Sequence, residues 1–202
     1  MKQFMLCLRP TPETTILDVG GYPETWENPR IDSNITLLNI HPIDLSKRTS
    51  NFQMKAVVGD GCRLDYKDKE FDIVFSNSVI EHLGTWERQM AFAREMGRVG
   101  RALWIQTPAR GFFMEPHLLT PLIHYFPRAV QKRLLRHFTV WGLITKPSPE
   151  QVEGFLNEVR LLDEKEMKQL FPGCEISKER IAGLTKSLIA IRKPNGISAC
   201  SN

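Results

Sequence analysis

The strongest constraint on the fold is a series of short apolar runs, each of which stops at glycine or at small polar residues. Five such runs lie in the first half of the chain, at residues 14–19, 35–40, 55–58, 71–75 and 102–106. Short, continuously apolar runs are typical of parallel strands buried on both faces of a sheet. Because parallel strands need long crossover connections, helices are expected between them.

Helix signals separate these runs and continue after them. Thr85 and Gly100 bracket a segment with apolar residues at helical spacing, namely Met90, Ala93, Met96 and Val99. Thr85 is a suitable N-cap, and glycine commonly follows the last residue of a helix. Ser148 begins a capping box with proline at the first helical position, and a short helix is expected over 163–170.

Two further β-type runs, 175–182 and 187–193, are joined by a short connection that contains Gly183. They predict an antiparallel hairpin at one edge of the sheet. Repeated strand–loop–helix units indicate an α/β, Rossmann-like, doubly wound sheet with helices on both faces. We therefore expect a single domain over 1–202, with a flexible tail over 194–202.

The composition is that of an ordinary globular chain, with 42% hydrophobic and 25% charged residues among 202. A formal charge of +4 is too small to indicate nucleic-acid binding. Neither a bilayer-spanning run nor a signal peptide is visible, so a cytoplasmic protein is predicted. Because the cysteines form no CxxC pair and the histidines and carboxylates show no ligand spacing, we expect free thiols and no metal.

Polar residues and glycines follow the runs at the edge where open α/β sheets bind ligands. Asp18 ends the first run, and a carboxylate there can bind an ammonium group; Gly20 and Gly21 then let the backbone approach a ligand closely. The later runs place further candidates at the same edge: Asn39, Asp60, Gly61, Cys62, Ser76, Asn77 and His82.

These motifs resemble those of the class I S-adenosylmethionine-dependent methyltransferases, in the broad type 11 group. The resemblance rests on residues 16–20, 35–42, 59–64 and 71–83, of which the last stretch is the most specific. It continues through 95–106, resumes weakly over 184–191 and omits 110–147. The family implies a seven-stranded sheet with an antiparallel last strand and S-adenosylmethionine as cofactor.

The resemblance also implies which residues contact that cofactor. Asp18 and Gly20 would hold its methionine part, and Asp60 and Gly61 its adenine. The other positions expected at the same site are Gly21, Tyr22, Asn39, Ile40, Cys62, Ser76 and Asn77.

Three features depart from the family pattern. Tyr22, followed by Pro23, replaces the usual second glycine and would face the sulfonium as an aromatic wall. Asn39 replaces the usual acidic residue, which keeps a hydrogen-bond acceptor for the ribose but removes its charge. The chain also begins close to the first strand, so the helix that covers the cofactor is expected to be truncated or missing.

Positioning supplies much of the rate of methyl transfer, so a general base is optional. If the acceptor must lose a proton, His82 is the predicted base, because it follows the fourth run; the alternative is a packed or capping histidine. Arg110, His117 and His124 are the predicted acceptor-binding residues; the alternative is a solvated loop arginine for Arg110 and a structural role for each histidine.

Residues 111–147 are predicted to form a substrate lid. The stretch is apolar and aromatic at first, and 127–138 then reads as an amphipathic basic helix. An apolar wall with a basic rim suits an amphiphilic acceptor with an anionic group, such as a prenylated or glycan-carrier lipid or an aromatic acid. Peripheral membrane contact through 127–138 is a further expectation; the alternative is a helix packed by its apolar face with its charges in water.

The predicted function is O- or N-methylation of a small-molecule or lipid- or glycan-linked acceptor. The alternative is a degenerate methyltransferase fold that acts as a binding or scaffold partner, which Tyr22 and Asn39 motivate. No nucleic-acid partner is expected, because residues 76–79 lack the proline–aromatic tetrapeptide of many amino-group methylating enzymes. A nicotinamide dehydrogenase is disfavoured because the glycine motif is incomplete. The sequence does not indicate an oligomeric state.

Overall fold

The computed structural model describes residues 1–27, 33–46, 53–112, 114–115, 120–121, 128–138 and 140–194. The strands are β1 Thr15–Val19, β2 Asn34–Asn39, β3 Met54–Val58, β4 Phe71–Asn77, β5 Gly100–Pro108, β6 Met114–Glu115, β7 Thr120–Pro121, β8 Glu175–Ile181 and β9 Leu184–Arg192. The helices are α1 Lys2–Leu8, α2 Glu24–Glu27, α3 Trp86–Val99, α4 Arg128–Phe138, α5 Val140–Thr145, α6 Pro149–Glu158 and α7 Glu164–Leu170, with a 3-10 turn over Ile80–Leu83.

The main sheet has seven strands in the order β3-β2-β1-β4-β5-β9-β8. Strands β1 to β5 run parallel, whereas β9 lies antiparallel to both of its neighbours, β5 and β8. The predicted doubly wound sheet and its antiparallel last strand are therefore confirmed. The strand order reverses between β1 and β4, which is where open α/β sheets form a ligand crevice.

Helices cover both faces of this sheet, as predicted. On one face, Phe4 of α1 and Trp26 of α2 are fully buried and meet Phe75 of β4, with ring centroids 5.1 to 5.8 Å apart. On the other face, Phe92 and Met96 of α3 are fully buried in a second apolar cluster that also includes residues of α7. Burial of apolar surface on both sides is what holds the parallel strands in the centre.

Capping interactions explain where three helices begin. Thr85 accepts a hydrogen bond from the backbone of α3, as its position predicts. The predicted capping box at Ser148 is present, because Ser148 N donates to Gln151 Oε1 at 2.8 Å and Gln151 N donates to Ser148 Oγ at 3.2 Å. Asp163 and Glu166 form a second reciprocal box at the start of α7. Each box satisfies donors that a helix start leaves open.

The structure corrects four expectations. Thr14 does not begin the first regular element, because α1 precedes it; this helix is too short to show a periodic signal and has no side-chain cap. Met90 is 44% exposed at the margin of the α3 face, whereas Phe92 is buried. The small β6–β7 sheet was not predicted. Cys62 and Cys174 are free thiols, but Cys7 is disulfide-bonded, so the expectation of free cysteines is wrong there.

The insertion after β5 contains the predicted basic helix as α4. Its Leu135 is fully buried against Val152 of α6, so the apolar face of α4 packs on its neighbour, as the alternative reading of this helix expected. Whether the insertion acts as a lid remains a prediction. No helix within the described ranges combines the length and the apolar character needed to cross a bilayer.

Candidate active site

A cleft of about 380 Å³ opens at the carboxyl ends of β1 to β4. This volume lies within the usual range for small-molecule sites. The lining comes from the loops after these strands, from the 3-10 turn, from α3 and from the end of α6: Gly20, Tyr22, Asn39, Ile40, His41, Asp60, Gly61, Ser78, Val79, His82, Arg88, Phe92 and Glu158. Seven of the residues predicted for the cofactor or the base are thus brought together.

Glycines form the floor of this cleft because side chains would not fit there. Gly20 has φ +79°, and a Cβ atom on it would lie 2.3 Å from Val79 Cγ2. A Cβ on Gly21 would lie 1.6 Å from Asp18 Oδ2. The loop after β1 therefore passes directly over the Asp18 carboxylate, which only glycine permits.

Asp18 is fully buried beneath that loop and does not line the cleft. Trp26 Nε1 donates to its Oδ2 at 2.7 Å, whereas Oδ1 has no hydrogen-bond partner in the described part of the chain. Burial raises the pKa of Asp18 from 3.8 to about 7, and the Trp26 hydrogen bond opposes this rise. An unpaired buried carboxylate oxygen is costly, so this site favours a proton or a ligand cation.

Asn39 and Asp60 are both engaged by protein groups. Asn39 Nδ2 donates to Gly21 O at 2.8 Å, which braces the glycine loop and leaves the amide oxygen free to accept from a ribose. Arg88 Nη2 lies 3.1 and 3.3 Å from the two Asp60 oxygens, and Cys62 N donates to Oδ1 at 2.9 Å. The Cys62 backbone bond, with help from Arg88, lowers the pKa of Asp60. Asp60 is thus held ionised at the rim.

Several predicted cofactor residues lie beside the cleft rather than on its surface. Ser76 is buried and donates to Val19 O at 2.9 Å, which ties β4 to β1. Cys62 Sγ contacts Arg88 O at 3.4 Å, and burial raises the pKa of this thiol to about 11. Asn77 is exposed, and Ser78, the next residue, lines the cleft instead. Cofactor contact remains a prediction for these residues and equally for the predicted residues that line the cleft.

His82 opens into the cleft from the 3-10 turn. Its Nδ1 lies 3.9 Å from Glu158 Oε1 at the end of α6. Buried groups fix the turn: Glu81 accepts from Thr107 Oγ1 at 2.9 Å, and Gln89 Nε2 donates to Ile80 O at 2.9 Å. These hydrogen bonds hold the turn that carries the imidazole of His82, which lies near the Glu158 carboxylate.

The predicted acceptor residues lie outside this cleft or outside the described residues. Arg110 donates to Leu161 O at 2.8 Å, to Glu166 at 2.8 Å and to Asp163 at 3.4 Å. These bonds tie the end of β5 to α7, a structural role that differs from the solvated loop arginine that the sequence also allowed. His117 and His124 fall on residues that the structure does not describe.

Three residues of the site carried no sequence signal. Trp26 reaches Asp18 from the short helix α2, Arg88 reaches Asp60 from α3, and Glu158 reaches His82 from α6. Arg88 and Glu158 are separated from their partners by intervening elements, and Trp26 follows Asp18 by eight residues, on the next element of the chain. None of these spacings belongs to a recognised motif. No cluster of metal-binding side chains occurs among the described residues.

The residues of the cleft fit S-adenosylmethionine. The glycines after β1 let a ligand approach the protein backbone closely. The buried Asp18 Oδ1 beneath them suits an ammonium group. Asn39 and Asp60 supply hydrogen-bond acceptors at the ends of β2 and β3. Ile40, which is 67% exposed at the rim, offers an apolar surface for an adenine ring. The mixture of one apolar wall and a few convergent polar groups is typical of cofactor sites.

Comparisons with known proteins agree with this description. The family described as a methyltransferase domain matches residues 19–102. No curated protein matches the chain. The chain is similar in structure to the PH0226 protein of Pyrococcus horikoshii, with 17% identity, a TM-score of 0.54, and coverage of 96% of this chain and 87% of the other.

Two further solved structures share the fold. One is described as a candidate Zn-dependent alcohol dehydrogenase from Rhodobacter sphaeroides, with 14% identity, a TM-score of 0.60, and coverage of 94% and 87%. The other is a complex of the Haloferax volcanii Trm112 methyltransferase activator with a candidate methyltransferase, with 11% identity, a TM-score of 0.54, and coverage of 94% and 86%. Identities this low show the fold alone. The family match over residues 19–102 and the shared fold agree with the resemblance to the class I S-adenosylmethionine-dependent methyltransferases of the type 11 group.

Proposed function

We propose that the protein methylates an O or N atom of a small-molecule or lipid- or glycan-linked acceptor. The observation that supports this proposal is that one cleft is lined by residues assigned to the cofactor, among them Gly20, Asn39 and Asp60, and also by His82. When bound, S-adenosylmethionine supplies an electrophilic methyl group and leaves as a neutral thioether. A cleft that presents a proton acceptor beside the cofactor site suits transfer to an acceptor that must lose a proton.

In this proposal His82 takes the proton that the acceptor loses as its oxygen or nitrogen forms the new bond to carbon. Glu158, 3.9 Å from His82 Nδ1, would stabilise the imidazolium that results. The turn that carries His82 is held by buried hydrogen bonds, so little ordering is needed at the moment of reaction.

The proposed acceptor is amphiphilic and carries an anionic group. Between Glu115 and Glu150 the sequence contains no Asp or Glu, yet it contains Arg128, Lys132, Arg133, Arg136 and Lys146. A segment with this charge attracts anions, and its apolar residues suit a hydrophobic tail. We propose 111–147 as the lid that selects this acceptor, with Arg110, His117 and His124 as candidates for binding it.

A calorimetric titration with S-adenosylmethionine and S-adenosylhomocysteine tests the cofactor part of the proposal. Micromolar binding that is lost in Asp18→Ala and kept in Gly154→Ala supports a working site. Gly154 is the matched control because a Cβ there would meet nothing within 4 Å. Absence of binding at millimolar cofactor would favour the alternative, a methyltransferase fold that serves as a binding or scaffold partner.

A further inference from the structure

An exposed apolar pair lies on α5, away from the residues that line the cleft. Leu143 is 62% exposed and Ile144 is 76% exposed. Val130 on the neighbouring helix α4 is 39% exposed. Adjacent apolar side chains that are exposed to this degree, and surrounded by polar residues, mark surfaces that contact a partner or a membrane.

The segment that carries this pair contains basic residues and, over 116–149, no acidic residue. Lys146 follows Ile144 closely in the chain and is exposed, as is Arg133 on α4. Lys132 forms an ion pair with Glu153 of α6, with Nζ and Oε1 2.7 Å apart. Glu153 follows the segment that lacks acidic residues. The surface therefore combines insertable apolar side chains with cations, the composition that binds anionic lipid headgroups.

Helix α6 connects this surface to the cleft. Near its start Val152 is buried against Leu135 of α4, and at its end Glu158 lines the cleft beside His82. The helical rise places these two positions about 9 Å apart along the axis. Because α6 contacts α4 and also contributes Glu158 to the cleft, an acceptor held in a bilayer at the α4–α5 surface would approach the cleft along α6.

We propose that Leu143 and Ile144, together with the basic residues beside them, bind the surface of an anionic lipid bilayer. The part of this inference that concerns acceptor delivery rests on the proposed function; the binding itself does not. It moves the predicted membrane contact from 127–138 onto α5, because the fully buried Leu135 of α4 is already committed to α6. The sequence pattern alone could not separate these two helices.

Sedimentation of the full chain with phosphatidylglycerol-rich vesicles tests the inference, with pure phosphatidylcholine vesicles for comparison. The wild type is expected to bind the anionic vesicles and to be released by salt. The double variant Leu143→Ser/Ile144→Ser is expected to lose at least tenfold in partitioning, because two apolar side chains no longer leave water. Arg133→Gln is expected to lose about fivefold, the contribution of one cation.

The matched control is Ile181→Ser/Leu184→Ser, at the last residue of β8 and the first residue of β9. These side chains are 50% and 46% exposed, so the same apolar loss is made at a remote surface, and no change in binding is expected. Wild-type behaviour of the Leu143→Ser/Ile144→Ser variant, or absence of binding at low salt, would overturn the inference. Salt-sensitive binding without a contribution from the apolar pair would indicate a polyanion such as RNA or an acidic protein instead.

Titration of each variant with S-adenosylmethionine separates this inference from the proposed function. The α5 variants are expected to keep the cofactor affinity of the wild type, since the residues changed do not line the cleft. Loss of vesicle binding with intact cofactor binding supports the bilayer surface. Vesicle binding by a chain that does not bind cofactor would leave the surface standing and contradict the proposed function.

Discussion

The buried Asp18–Trp26 contact at the end of β1 and the surface Lys132–Glu153 pair of the α4–α6 region hold their polar groups in opposite ways. At the sheet edge, Asp18 is fully enclosed and its contact with Trp26 lies inside an aromatic cluster. In the α4–α6 region, the Lys132–Glu153 pair joins side chains that are 43% and 56% exposed. Both contacts measure 2.7 Å, yet only the first is shielded from water.

This difference shows at which positions the fold constrains the amino acid and at which positions substitution is tolerated. An enclosed polar group must be matched by its neighbours, because leaving it unpaired costs free energy. An exposed pair exchanges its partner for water at little cost. The surroundings of Asp18 are therefore tightly constrained, whereas the exposed Lys132–Glu153 pair is free to vary. Five substitutions test this contrast.

The largest effect is expected at His82, where the two regions meet. His82→Gln should lower kcat by about 10²- to 10⁴-fold while the affinity for S-adenosylmethionine stays unchanged, because only proton transfer is lost. Steady-state kinetics with an acceptor found by screening measures this. His41→Gln is the control, since His41 also lines the cleft. An equal loss of kcat in both variants would contradict the role of His82.

Asp18→Asn should change stability and cofactor binding in opposite directions. The folded protein retains the Asp18 proton up to about pH 7 while the unfolded chain loses it near 3.8, so this group lowers stability as pH rises through that window. Removing the charge should raise the free energy of unfolding at about pH 8 by at most roughly 4 kcal/mol, and by little near pH 4. Cofactor affinity should fall.

Urea denaturation at the two pH values measures this effect. An equal change at both, or a loss of stability at the higher pH, would show that the buried carboxylate is compensated by a partner.

Gly21→Ala should weaken cofactor binding by roughly a hundredfold, because its Cβ would overlap the Asp18 carboxylate and overpacking of this kind costs about 1–3 kcal/mol. Gly154→Ala on α6 makes the same chemical change in open space and should bind normally. Calorimetry compares the two. Similar affinities would mean that the loop after β1 yields easily and that the cofactor side is less constrained than its packing indicates.

Trp26→Phe should shift the pH dependence of cofactor binding. The hydrogen bond from Trp26 lowers the pKa of Asp18, so losing it should raise that pKa. Cofactor affinity, which needs the ionised carboxylate, should then begin to decline at a higher pH, by about one pH unit. Trp104→Phe is the control, because Trp104 lies in the same aromatic cluster but makes no bond to Asp18 among the contacts described. A shift in both variants would indicate a packing effect alone.

The smallest effect is expected at Lys132. Lys132→Met should change the free energy of unfolding by less than about 1 kcal/mol, as is usual for an exposed ion pair. A double-mutant cycle with Glu153→Gln isolates the coupling. A coupling free energy well above that value would show that this exposed pair contributes as much as an enclosed one, which would remove the contrast.

The same contrast explains what could be predicted from the chain. The strands β1 to β5, the α3 cap at Thr85 and the capping box at Ser148 follow from local patterns, so they were predicted within a few residues. The rim positions Gly20, Asn39 and Asp60 were also predicted, because a parallel sheet gathers its strand ends at one edge. Helix α1 was missed because seven residues carry little periodic signal.

The sequence by itself determined the strand–helix alternation, the resemblance to the methyltransferases and the edge at which the cleft opens, because these depend on periodicity and on residues close together in the chain. Only the tertiary structure decided the contacts between distant side chains. Trp26 donates to Asp18, and Arg88 forms an ion pair with Asp60. Glu158 lies near His82, and Arg110 forms an ion pair with Glu166 of α7. Each of these contacts joins separate elements, and their pairing is set by how the helices pack on the sheet rather than by spacing along the chain.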